Sequence, residues 1–514
     1  MTARPSPVRR AGEGRKRGIK LERLNYQTLQ ALDYRGYLLR QAPERVLQFG
    51  EGGFLRAFAD HFIDIMNEKC GFDGKILVSQ PRGGHPEVTE RFAAQDGLYT
   101  LVLRGRENGQ KKSITRVISS ISRCLDPQSD WEALLDAAAN PALRFILSNT
   151  TEAGIVFDPS CRMQDAPPAS YPAKLAAFLL RRYQLGLPGF WILPCELNDD
   201  NGGLLCRCLE QYFDFWQLGA DFRHWFAREN HICSTLVDRI VTGYPRGEAQ
   251  ELCRGFGYED ELMDAGEVFA FWVIEAPQTL QEELPFEKAG LPILITDDHR
   301  PYKQRKVRIL NGAHTTMALG AYLAGKDIVR ACMEDEVIHS FMNRAIYDEI
   351  IPTLDLPAQE LTGFAAAVSE RFNNPYIDHS LLAIALNSTA KWQARVLPSV
   401  HEYQRRAGKL PACLVMSFAL YAAFYHNAKE RGEGCLVGYR GADRYEVRDE
   451  AWCLDFFYDH RNDSAPELIH ALVHNERMWG ESLAQLEGFE DAAARALADI
   501  EEKGAYEAMR ECLK

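Results

Sequence analysis

The segment Lys306-Val-Arg-Ile-Leu-Asn311-Gly-Ala-His314 gathers three chemically useful side chains in a short stretch. Asn311 and His314 are three apart and share a face if the segment is helical. Lys306 lies about a turn and a half earlier, and its long side chain can reach the same point. These types suit proton transfer at a carbonyl. An ammonium group with a pKa lowered toward neutrality can act as the acid, while an amide and an imidazole donate hydrogen bonds to an oxygen that gains charge. Burial and the neighbouring cations Lys303, Arg305 and Arg308 predict such a lowering for Lys306. The plainer alternative is a basic surface patch beside a helix capped by its asparagine. Spacing alone leaves both open.

Gly50-Glu-Gly52-Gly53-Phe54 follows an apolar run and precedes a helical pattern. Glycines there allow a tight turn and let a pyrophosphate approach the backbone at a helix start. Phe49 and Arg56 flank the turn and are taken with it as cofactor contacts. The pattern is GxGG, because Leu55 stands where a third glycine would complete GxGxxG, and a turn serving no ligand is the competing reading. At the end of the next strand, Ser79-Gln80-Pro-Arg82 offers no carboxylate for ribose hydroxyls. Arg82 could stack on adenine or meet a 2′-phosphate, so NAD is expected and NADP stays open.

The elements that must position these residues follow from periodicity. Arg45–Phe49, Lys75–Ser79, Tyr99–Leu103, Arg144–Ser148 and Phe190–Pro194 read as short buried strands separated by helices. That pattern predicts a doubly wound parallel sheet of Rossmann type, covered on both faces. Phe54, Leu55, Phe58, Phe62 and Met66 mark one face of an amphipathic helix. After Pro285, Gly290 and Pro292 comes one last short apolar run, 293–296, and from Lys306 onward the period is helical. The expectation is a basic disordered tail over 1–20, an α/β dinucleotide-binding domain over 21–285 and a mainly helical substrate domain over 286–514.

Composition narrows the partners. The 514 residues carry 59 Lys plus Arg against 72 Asp plus Glu, a net charge of −13. Such a chain has no global pull toward nucleic acid or an anionic membrane, so an anionic substrate needs a local basic pocket. No run approaches the eighteen or so apolar residues of a membrane helix, and Leu414–Tyr425 reads as a buried helix. The first twenty residues hold seven bases and one acid without an apolar core, unlike a secretory signal. Thirteen scattered cysteines suit reduced thiols in the cytoplasm. Cys206 and Cys208 lack a second ligand pair, and no HxxxH or CxxC stands near Lys306, so no metal is expected.

Lys306-x4-Asn311-x2-His314 resembles the catalytic signature of the mannitol dehydrogenase family of long-chain, metal-independent polyol dehydrogenases. Gly50-Glu-Gly-Gly-Phe-Leu-Arg56, Ser234-Thr-Leu-Val-Asp238-Arg239-Ile and Trp272-Val-Ile-Glu275 are similar to further elements of that family. Ser148-Asn-Thr-Thr151-Glu152-Ala-Gly154, Leu193-Pro-Cys-Glu-Leu197, Val241-Thr-Gly-Tyr-Pro245 and Arg371-Phe-Asn-Asn-Pro375 resemble its keto-uronate-reducing branch. The likeness runs from about residue 21 to the C-terminus. It implies Lys306 as general acid/base, Asn311 and His314 at the carbonyl, and Thr151 and Glu152 among the cofactor contacts. It also implies a second asparagine at the oxygen, assigned to Asn201 because Asn201-Gly202 keeps an Asn-Gly pair; polyol members have a further asparagine where Leu197 stands. The implied activity is reversible NAD-dependent reduction of a keto-uronate to an aldonate, by a monomer or weak oligomer. Other keto-uronates, plain polyols and a non-catalytic nucleotide sensor are the alternatives. A sensor's mark would be loss of Lys306, Asn311 or His314, and all three are present.

A keto-uronate carries a carboxylate that a plain sugar lacks, so the pocket needs an extra cation, ideally an arginine fork. Arg371, Lys391 and Arg395 are candidates, with His379 nearby; Arg371 matches a pocket arginine of the family. Solvated charge is the favoured reading for Lys391 and Arg395. Asp238 and Glu275 are either pocket carboxylates or partners of Lys306, and the latter role would raise its pKa.

Overall fold

The computed structural model describes residues 21–514, so the tail expected over 1–20 lies outside the described residues. The chain builds β1 (Glu44–Phe49) and β2 (Lys75–Ser79), then a hairpin of β3 (Tyr99–Glu107) and β4 (Gln110–Ile118). It continues through β5 (Ile121–Leu125), β6 (Phe145–Ser148), β7 (Trp191–Pro194) and β8 (His231–Ile232). Six of these form an all-parallel sheet in the order β5-β2-β1-β6-β7-β8. Every residue of β2, β6 and β7 is buried, which is why they read as continuous apolar runs. From β1 the chain winds outward to one side and later to the other. The crevice at the carboxyl ends of β1 and β6 is therefore the switch point where such sheets bind ligands.

The run 99–103 is a strand, but it does not belong to this sheet. It opens the β3–β4 hairpin, and β5 takes the place beside β2. The reason is the two-residue turn Asn108-Gly109, whose φ values of 54° and 75° give the mirror-image turn that folds a strand straight back. The expected helix after the glycine turn forms as α1 (Gly53–Ala57) and α2 (Ala59–Cys70), broken at Phe58. Its apolar face packs Phe58 and Phe62 on Trp272, at centroid distances of 5.4 and 6.4 Å. The sheet's other face is covered by α3 (Tyr171–Gln184) and α4 (Asn201–Phe215).

The first part also holds β9 (Thr235–Asp238), β10 (Val241–Gly243), β11 (Asp264–Glu267), β12 (Phe271–Glu275) and β13 (Ile293–Thr296), besides a short parallel pair of Glu22–Arg23 with Tyr258–Glu259. They form the small sheets β9-β12-β13 and β10-β11-β3-β4. Because β13 pairs with β12, the first part extends to Thr296, past the expected border at 285.

The helical part begins with α5 (Arg300–Arg305), a π-helical turn (Lys306–Asn311) and α6 (Gly312–Leu323). It includes α7 (Ala358–Phe372), α8 (Ser388–Arg395), α9 (Ala412–His426) and α10 (Phe489–Lys503). All of α9 from Cys413 to His426 is buried, as expected of a helix apolar all round, and α6 and α10 pack on it. A three-stranded antiparallel sheet spanning 430–447 interrupts the helices, where a helical period was expected. Among the described residues, no helix is long and apolar enough to cross a membrane.

Candidate active site

Lys306 and Asn311 bracket the π-helical turn. In an α-helix two residues five apart point roughly 140° from each other. With i to i+5 bonding they come nearly one above the other, and such turns recur at functional sites. Both line a cleft of about 680 Å³ between the two parts, together with Gly53, Phe54, Thr151 and Glu152. The cleft thus joins the glycine turn, the loop after β6 and the Lys306 turn.

The Lys306 ammonium donates to the Val237 carbonyl at 2.8 Å and stands 3.8 Å from Asp238 Oδ1. Burial lowers its pKa; Asp238 pulls it back up, while Arg371 and Lys303 push it down again, and the net direction is down. Of the three cations expected to lower it, Lys303 is the one that acts on it. Arg305 pairs with Glu360, and Arg308 turns away to Ser399 and Thr353. Between Asp238 and Glu275, the lysine's partner is Asp238. Glu275 instead accepts from His299, at 2.6 Å.

Asn311 faces the cleft, and its backbone carbonyl accepts from Thr315 at 2.9 Å. One turn on, His314 is buried, stacked on Phe372 at 3.9 Å and edge-on to His379 at 5.3 Å. Burial, then the nearby His379, Arg371, Arg395 and Lys391, hold its pKa well below the usual histidine value, so the ring is neutral. Among the described residues, its Nε2 has no hydrogen-bond partner. A buried, unpaired ring nitrogen is ready to bind a ligand oxygen.

Asn201 is placed differently from its expected role. Its Nδ2 donates to the carbonyls of Pro194, Glu196 and Thr235, and its Oδ1 accepts from the N–H groups of Gly202 and Thr235. With its amide fully engaged, it fastens β7 and α4 to β9 and has no group left for a substrate oxygen. Arg371 is also committed. Its guanidinium makes two bonds to Asp238 (3.0 and 2.8 Å) and two to Glu267 (3.0 and 2.8 Å) while lying 4.3 Å over the Phe269 ring. Arg371 is buried and ties α7 to β9 and β11. Burial raises the Asp238 carboxyl, but Arg371 and Lys306 hold it below the ordinary carboxylate value.

Around the glycine turn, Gly50 has φ +136°, and a Cβ there would sit 3.0 Å from the Asn149 carbonyl. Glycine is therefore required where β1 and β6 end together. Gly52 faces open space, so a ligand can reach its backbone, while Gly53 packs on the Asp264 carboxylate. Leu55 is buried, so a third glycine is not needed for this helix to pack. Phe49 is fully buried against Tyr171, which leaves its backbone as the part nearest a ligand. Arg56 bonds to the carbonyls of Glu51 and Leu262 and so braces the turn from behind. Gln80 is buried and donates to the His85 carbonyl, with its Oε1 unpaired. Arg82 is exposed, as are Thr151 and Glu152 at the cleft mouth. The open glycine backbone at the switch point fits a dinucleotide's pyrophosphate.

Two further residues, Glu196 and Arg239, shape the cleft without having been singled out. Glu196 accepts from Ser148 Oγ and from the Thr150 N–H and hydroxyl, each at 3.0 Å, and fixes the loop after β6. Arg239 bonds to the carbonyls of Ala57, Val268 and Phe269 and anchors α1. Leu197 lies on the cleft wall, 61% exposed. The first two sit inside quoted motifs, which was the available signal.

Residues 44–288 match the mannitol dehydrogenase Rossmann domain, and residues 298–501 the mannitol dehydrogenase C-terminal domain. The altronate oxidoreductase of Klebsiella pneumoniae (strain 342) is 43% identical over 94% of this chain and 99% of its own length. The altronate oxidoreductase of Escherichia coli O7:K1 is 42% identical over the same shares. Among solved structures, a D-sorbitol dehydrogenase in substrate-free form superposes with a TM-score of 0.81 at 22% identity, covering 95% of this chain and 100% of that one. Pseudomonas fluorescens mannitol 2-dehydrogenase, in ternary complex with NAD and D-mannitol, gives 0.69 at 23% identity over 95% and 99%. With a Rossmann sheet, a helical partner and the Lys306 cleft between them, this chain belongs to the mannitol dehydrogenase family.

Proposed function

We propose that this chain catalyses the reversible NAD-dependent reduction of D-tagaturonate to D-altronate in the cytoplasm. The observation that carries the chemistry is the partly buried Lys306 ammonium in a cleft that Asn311 and the glycine turn also line, with His314 one turn beyond Asn311. The substrate follows from the relatives named altronate oxidoreductase, which share more than two-fifths of the sequence over nearly the whole chain. Leu197 supports a substrate other than a plain polyol, since it offers no amide to a sugar hydroxyl. Thirteen cysteines without a disulfide among them suit a reducing compartment.

A bound nicotinamide supplies or accepts the hydride. The residues of this chain do the rest. Gly50 and Gly52 leave the backbone clear for the dinucleotide's phosphates. The Val237 carbonyl and Asp238 aim the ammonium of Lys306 into the cleft. Lys306 gives its proton to the ketone oxygen in reduction and takes one from the hydroxyl in oxidation. The Asn311 amide and His314 Nε2 bind that same oxygen and stabilise its developing charge.

A substrate panel read by NADH and NADPH absorbance tests the proposal. Tagaturonate with NADH should give the highest kcat/KM among the two keto-uronates and the neutral ketohexoses. A fructose rate comparable with that for tagaturonate removes the uronate reading.

A further inference from the structure

With Arg371 engaged by two carboxylates, the substrate's own carboxylate needs another partner, and α8 supplies one. Lys391 and Arg395 are four apart on that helix and project from one face. The helix lies directly against α6. The Arg395 carbonyl is 3.3 Å from where a Gly312 Cβ would stand, and Arg395 Nη1 is 3.5 Å from Thr315 Oγ1, the residue after His314. From the other side, His379 brings its ring edge-on to His314. Two cations and an imidazole therefore stand close to His314 and Thr315.

None of them is neutralised. Among the described residues, no carboxylate lies within salt-bridge range of Lys391 or Arg395. Lys391 donates to the Ile384 carbonyl at 2.9 Å, and Arg395 has the Thr315 contact. Asp449, the acid that acts on Lys391 from farther off, already accepts from Thr389 and Tyr425. Both cations are partly buried, where an unpaired charge is costly and an anion that pairs with it is favoured. Burial lowers the Lys391 pKa, and Arg395 lowers it further. The same cations lower His314, so the cluster is felt at the reacting end. From Asn311 to Thr315 the helix rises roughly 6 Å. That is comparable with the span of a keto-uronate, whose ketone and carboxylate stand at opposite ends of the carbon chain.

We propose that Arg395, with Lys391 beside it, forms the subsite that binds the substrate carboxylate, while Arg371 holds the two parts of the molecule together. This rests on the keto-uronate reading above. It makes α8 the element that separates sugar acids from neutral sugars, through an arginine fork with most of its five donors still available.

The test compares kcat/KM with NADH for tagaturonate and for tagatose, its neutral analogue with a hydroxymethyl group in place of the carboxylate. Full-length wild type, Arg395→Met, Arg395→Lys and Lys391→Met are measured, with NADH binding followed by fluorescence to confirm folding. The uronate-to-ketose ratio should fall about 100-fold in Arg395→Met and about tenfold in Lys391→Met, with partial recovery in Arg395→Lys. A ratio within threefold of wild type in Arg395→Met overturns the subsite. If Arg395→Met loses NADH binding, the ratio in Lys391→Met decides by the same criterion. A wild type that itself shows no preference for tagaturonate overturns the keto-uronate reading instead, so the two failures are told apart.

Discussion

Lys306 sits between opposed influences, and its usefulness depends on their balance. Burial depresses its pKa, Asp238 at 3.8 Å restores part of it, and Arg371 depresses it again. Reduction needs the ammonium form, so the rate must fall as pH rises through this pKa. Asp238→Asn removes the restoring charge and leaves Arg371 less neutralised; both changes lower the lysine further. The alkaline limb of kcat/KM for reduction should therefore move to lower pH than in wild type. A pH series from 6 to 10 checks it, and a limb that stays or moves upward contradicts the assignment. At this scale the sequence was informative about identity and less so about orientation. Spacing left Lys306, Asn311 and His314 open between a site and a basic surface patch, and the structure puts Lys306 and Asn311 on one cleft. Asn201 was not legible, because an Asn-Gly pair reads alike whether its amide faces a ligand or, as here, three backbone carbonyls.

Among the elements, the π-helical turn and the α7 anchor matter most. The turn alters the phase of one helix so that Lys306 and Asn311 face the same cleft. No apolar periodicity announces it, since a single widened turn shifts the pattern by less than a residue-type argument resolves. The anchor is Arg371, which joins the helical part to two strands of the first. Removing it leaves two buried carboxylates without their arginine, Asp238 with Lys306 at 3.8 Å and Glu267 with the Ile240 N–H. Arg371→Ala should cost about 3–5 kcal/mol of stability, a typical figure for breaking a buried pair from one side. Urea unfolding measures this, and a loss under about 1 kcal/mol would return Arg371 to the list of groups free to bind substrate. The hairpin β3–β4 was readable in principle from Asn108-Gly109. The sheet over 430–447 was harder to read, because its strands are short and partly exposed.

On the scale of the whole molecule, an acidic protein with a net charge of −13 still holds two cations without a carboxylate partner among the described residues, Lys391 and Arg395, close to His314. The doubly wound parallel sheet was legible from strand spacing, while its switch point needed the strand order, and β13 joins the first part by pairing with β12. Near the glycine turn, Asp60 is fully buried, its carboxyl accepting from Gln48 alone among the described residues, and burial pushes its pKa up to about 8. The folded protein therefore keeps a proton here that the unfolded chain releases near the ordinary aspartate value. The contribution of this carboxyl to stability should be highest below that value, decline as pH rises, and level off above about 8. Asp60→Asn should gain little in Tm at pH 4.5 and most at pH 8.5, by thermal melts across that range. A gain independent of pH would contradict the neutral carboxyl.

The account as a whole rests on proton transfer by Lys306 in the cleft between the two parts. Its most direct test is turnover and nicotinamide nucleotide binding in Lys306→Ala. The account predicts that kcat for tagaturonate reduction falls by about a thousandfold or more while NADH binds as in wild type. Turnover within tenfold of wild type would contradict it.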